Sequence, residues 1–89
     1  MPVVRIPTPL RPHAGGLDRL DAAGSTVGEV LDQVTTQHPA LRERLFDGGE
    51  LRRFVNVYVN NEDIRYLEDL ATPVSANDEV SIIPAVAGG

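Results

Sequence analysis

The 89-residue chain contains no cysteine, and all eight of its strongly basic side chains are arginine. Without cysteine there can be no disulfide, no thiolate metal site and no cysteine nucleophile. Without lysine, no side chain can form a Schiff base or accept an isopeptide bond. Long apolar runs are missing too. No stretch approaches the ~20 residues needed to span a bilayer, and the opening "MPVVRIPTPLRP" lacks the apolar core of a signal peptide. A cytoplasmic protein is expected, with no membrane partner. Histidine is scarce. His13 and His38 are far apart in the chain with no local ligand spacing, so both read as surface or loop residues rather than metal ligands. Positive charge is outnumbered, leaving a net charge of −5. That sign repels phosphate backbones and argues against nucleic acid as a partner. It suits a basic protein surface.

What is present fits one small domain. A hydrophobic fraction of 42% and a charged fraction of 24% belong to a folded, soluble chain. At this length roughly 60–65% of the unfolded surface is buried, enough for a modest core without a deep enclosed active site.

Val3 to Pro9 reads as a first strand, with Pro7 and Pro9 marking an edge or irregular end. "RPHAGG", Arg11 to Gly16, reads as a turn region. Its Gly-Gly lacks the Lys-Ser/Thr and the spacing of a phosphate loop. Leu17 to Ala22 returns as a second, antiparallel strand. "STVGEVLDQVTTQHP" is the clearest helix. Thr26 stands three residues before Glu29 in capping-box spacing, Val27, Val30, Leu31 and Val34 form one apolar stripe, and Pro39 bars continuation. Leu41 and Leu45 give a further helical turn before "DGGE", read as a loop. "FVNVYVNNED" is the clearest strand, Val55, Val57 and Val59 pointing one way and Phe54, Asn56 and Tyr58 the other. Asn60-Asn61 is a turn signal, Ile64 to Tyr66 reads as a short strand, and "LEDLATPVSANDE" as loop with a helical turn. "EVSIIPAV" is the last strand, with Ile83 opposite in phase to Val80 and Ile82. The acidic cluster "NNED" and the pair Glu68-Asp69 read as solvated surface.

One helix across one mixed sheet is the economical two-layer arrangement. If the first and last strands pair in parallel, the class is α+β in a ubiquitin-like β-grasp, a mixed sheet of four to five strands packed on one main helix. Pattern alone leaves that open.

The end of the chain narrows it. "AVAGG" after "IIP", together with "TVGEVLDQV" and "DEVSIIPAVAGG", resembles the MoaD/ThiS sulfur carriers, small ubiquitin-like proteins ending in Gly-Gly. The resemblance covers essentially the whole chain. Within the family, "IPTPLRPHAGG" and "RFVNVYVNNEDIR" look most like the CysO-like carriers of actinobacterial cysteine biosynthesis. It implies a β-grasp domain over residues 1–84 and a flexible tail over 85–89 that carries the reactive carboxylate. The chain would then be no enzyme but a protein substrate, a monomer when free, with no bound cofactor and no metal. Gly89, with Gly88 before it, would be adenylated by an E1-like enzyme using ATP and converted to a thiocarboxylate. The sulfur acceptor would be a PLP-dependent cysteine synthase, and a metallopeptidase would release cysteine. Glycines at 88 and 89 let a tail enter a narrow cleft, and Ala85, Val86, Ala87, Gly88 and Gly89 extended reach roughly 16–18 Å.

Phe54, Tyr58 and Ile83, left on the sheet face opposite the helix, would dock the partner enzymes, with Ala85, Val86 and Ala87 binding along the cleft. Alternatives within the resemblance are a MoaD-like subunit in molybdopterin synthesis, a ThiS-like supply to thiazole or thiosugar, and a ubiquitin-like protein modifier. An enzyme with its own active site has no support, because no carboxylate pair, Ser-His constellation or cofactor loop is present.

Overall fold

Thr26 caps the main helix as its spacing predicts. The Glu29 amide donates to Thr26 Oγ1 at 3.2 Å, and Glu29 Oε1 accepts the Ser25 amide at 2.7 Å, so the reciprocal bond closes one residue earlier than in an ideal capping box. The helix, α1, runs Val27–Gln37, and a second, α2, follows as Pro39–Leu45. The computed structural model describes residues 1–84. Its strands are β1 (Val3–Arg5), β2 (Arg19–Asp21), β3 (Phe46–Asp47), β4 (Glu50–Leu51), β5 (Val55–Val59), β6 (Glu62–Asp63) and β7 (Glu79–Pro84).

Five of these form one mixed sheet in the order β2-β1-β7-β5-β6, and β3 pairs with β4 in a separate ribbon. β1 and β7 run parallel at the centre, and every other pairing is antiparallel. This is the ubiquitin-like β-grasp expected from the sequence. Val27, Val30, Leu31 and Val34 are fully buried against Val4, Ile6, Val57, Val59, Val80 and Ile82 in one core. Leu41 and Leu45 of α2 complete it. No helix among the described residues is long and apolar enough to cross a membrane.

Four local readings are corrected. The first strand stops at Arg5 rather than reaching Pro9, because the prolines cannot donate to a ladder. From Thr8 to Ala14 the chain is a 3₁₀ helix with Leu10 and Ala14 buried, so only Gly15-Gly16 of the expected turn region is a turn. "DGGE" is a hairpin: Phe46 pairs with Leu51 and Asp47 with Glu50, and Gly48 and Gly49 take φ of +63° and +95°. A two-residue reversal demands that left-handed backbone, which glycine adopts without penalty. Ile64–Tyr66 is a 3₁₀ turn, and the short strand lies just before it at Glu62–Asp63. The proposed tail at 85–89, with Ala85, Val86, Ala87, Gly88 and Gly89, lies outside the described residues.

Candidate functional site

Alternation along β5 and β7 sets which side chains leave the core. Val57 and Ile82 are opposite each other and buried, as are Val59 and Val80. The residues between them therefore stand on the outer face. There Asn56 pairs with Ile83 and Tyr58 with Ser81, so the expected neighbourhood of Tyr58 and Ile83 is present. Ile83 is 46% exposed and Tyr58 half-buried. Phe54 falls one residue before β5, in a turn held by the Val55 amide donating to the Arg52 carbonyl at 3.0 Å, and is 57% exposed. All three residues named from sequence thus leave the core, two from strands and one from the turn that feeds a strand.

The face continues past them. Register places Asp63 beside Tyr58, Arg5 beside Ser81 and Arg19 beside Arg5. Two further features near this face were not read from the sequence. Tyr66 is 87% exposed at the end of the 3₁₀ turn. Asp63, expected to be solvated like the rest of "NNED", is 8% exposed beneath its ion pair with Arg65. Its Oδ1 accepts the Arg65 amide at 2.9 Å and Nε at 3.3 Å, while Oδ2 accepts Nη2 at 2.9 Å. Nη2 donates to Asn56 Oδ1 as well. The Arg65 side-chain bonds, then its amide, hold the Asp63 carboxyl below the usual carboxylate range, and Asp63 in turn holds the guanidinium above its own. The signal was the spacing Asp-Ile-Arg, close enough for the two side chains to meet once Ile64 starts a turn.

Between the β3–β4 ribbon and the open end of β5 lies a cleft of about 370 Å³. Apolar side chains such as Leu51, Val57 and Leu70 line it together with charged ones that include Asp63 and Arg65, and its lining has no serine, threonine, histidine or cysteine. Among the described residues no three or more histidine, aspartate or glutamate side chains converge as a metal site would require.

Pro84, the last described residue, lies opposite Val55, next to the turn that carries Phe54.

A family model described as the ThiS family matches residues 4–89. The sulfur carrier protein CysO of Mycobacterium tuberculosis (strain ATCC 25618 / H37Rv) is 48% identical over 89 residues, covering 97% of this chain and 96% of that protein. A chain in the crystal structure of the Amycolatopsis orientalis BexX/CysO complex is 45% identical, with a TM-score of 0.92 and full coverage of both chains. The solution structure of the small archaeal modifier protein 1 from Methanosarcina acetivorans is 34% identical, with a TM-score of 0.90, over 99% of this chain and 95% of that one.

Proposed function

The chain belongs to the ThiS family, and on that premise we propose that it is a cytoplasmic sulfur carrier whose working group is the carboxyl of Gly89. The observation that supports this reading is a family match over residues 4–89, a range that includes Gly88 and Gly89. A carboxylate is a poor electrophile, and this chain has no group to activate it. An E1-like partner would do so: a Gly89 oxygen attacks the α-phosphate of ATP and pyrophosphate leaves. A sulfide donor then attacks the carbonyl carbon and AMP leaves, so that the sulfur stays as a thiocarboxylate. The cargo would go to cysteine biosynthesis, in keeping with the likeness to CysO. There a PLP-dependent synthase would join the sulfur to the β-carbon of an activated serine as the activating group leaves, and after acyl shift to the amine a metallopeptidase would hydrolyse the bond to Gly89 and release the product.

The protein's own contribution is placement. Phe54, Tyr58 and Ile83 would seat the partner on the outer face while residues 85–89 reach its cleft. Pyrophosphate release by the E1-like enzyme, supplied with ATP and this chain, tests the reading. The intact chain should support it, and a chain lacking Gly88 and Gly89 should not. Equal release with both would overturn it. The likeness to a small archaeal modifier favours one second reading, transfer of the same activated carboxyl to protein amines. Isopeptide-linked adducts recovered from cells would reveal it.

A further inference from the structure

On the premise that the outer sheet face is the docking face, we propose that Arg65 is its charged recognition residue and receives a carboxylate from the partner enzyme. The Arg65 side chain is 59% exposed, yet it is anchored to Asp63, whose side chain is only 8% exposed. Asp63 takes the Nε and Nη2 side of the fork, and Asn56 takes a second Nη2 hydrogen. Among the described residues, no acceptor meets Nη1. A flexible basic arm would lose rotamer freedom on binding, whereas this guanidinium is already fixed, so little ordering remains to oppose a contact.

Its surroundings fit recognition. Asn56, which holds it, is opposite Ile83 on the adjacent strand, and Asp63 is opposite Tyr58. Tyr66 follows it directly and is almost fully exposed. An arginine set among aromatic and aliphatic side chains has the composition of an interface hot spot. The charge balance points to the sign of the partner. Arg5, Arg19 and Arg65 share this face with Asp21, Asp63 and Glu79, so it is balanced in a chain of net charge −5. An acidic group on a partner meets less repulsion here than the chain as a whole would offer, and it finds the Nη1 hydrogens unclaimed.

The test is a titration of the E1-like enzyme with the full chain, without ATP, at low and at high salt. Arg65→Gln should weaken binding about tenfold at low salt and flatten the salt dependence. Phe54→Ala should weaken binding while leaving the salt dependence as it is. Arg65→Lys keeps a cation beside Asp63 but loses the fork, and should weaken binding roughly threefold. It carries the test if Arg65→Gln does not fold. Should the Arg65 variants bind like the parent while Phe54→Ala is weakened, the role of Arg65 falls and the docking face stands. Should the parent chain neither bind nor support pyrophosphate release, the carrier reading falls and this inference with it.

Discussion

Asp63 shows how a single residue escapes a pattern reading. In sequence it ends a run of polar residues and reads as solvated. In the fold, Ile64 turns the chain into a 3₁₀ helix and brings the Arg65 guanidinium back over the carboxylate. Nothing in the alternation of "NNED" reports that turn, although the Asp-x-Arg spacing permits it. The pairing makes a pH prediction. The carboxyl of Asp63 is lowered in the folded state, so its stabilisation is fully present above the ordinary carboxylate pKa of about 4. It is lost as pH falls through the lower folded value. Asp63→Asn should therefore melt below the parent at neutral pH, and the two curves should converge as the pH drops below about 4. Thermal melts followed by circular dichroism across that range check it. A gap that stays constant down to strongly acidic pH would contradict the assignment.

At the scale of elements, legibility followed the strength of the periodic signal. The helix was readable to its cap because an apolar stripe, a Thr-x-x-Glu spacing and Pro39 agree with one another. β5 and β7 were readable because their valines and isoleucines alternate. The short pieces were not. Thr8 to Ala14 holds two prolines inside a seven-residue 3₁₀ helix, and proline argues against strand and helix alike. The β3–β4 ribbon has only two residues per strand, too few for an alternation to appear. The cap gives a clean element-level test. Thr26→Ala removes the acceptor of the Glu29 amide and should cost about 1 kcal/mol. For a domain of this size that is a fall in Tm of roughly 4–8 °C. Denaturant unfolding measures the loss. Enzyme binding should be unchanged, because α1 packs on the face of the sheet opposite Tyr58 and Ile83.

At the scale of the whole molecule, the sheet has two jobs on its two faces. The inner one holds the helix through Val57, Val59, Val80 and Ile82, and the outer one carries Tyr58 and Ile83, near the exposed Phe54. Assignment of those faces from sequence needed only the side-chain period of two and the adjacency of β5 and β7. Arg65 could not be placed on the outer face in that way, since it sits on a turn whose direction the pattern does not fix. Phe54→Ala should raise the dissociation constant for the E1-like enzyme roughly thirtyfold, the loss of an anchor of ~2 kcal/mol. Its melting temperature should hold, because Phe54 lies outside the buried core. A calorimetric titration with a parallel melt decides between an interface role and a packing role. The central claim, however, concerns the last atom group of the chain, and one measurement addresses it directly: the intact mass after incubation with the E1-like enzyme, ATP and a sulfide source. The chain carries no cysteine, so retained sulfur cannot sit on a side-chain thiol, and the proposed function puts it on the Gly89 carbonyl. The account predicts a gain equal to the exchange of one oxygen for one sulfur, confined to the C-terminal fragment and absent when ATP is omitted. An unchanged mass, with the enzyme shown to be active, would contradict it.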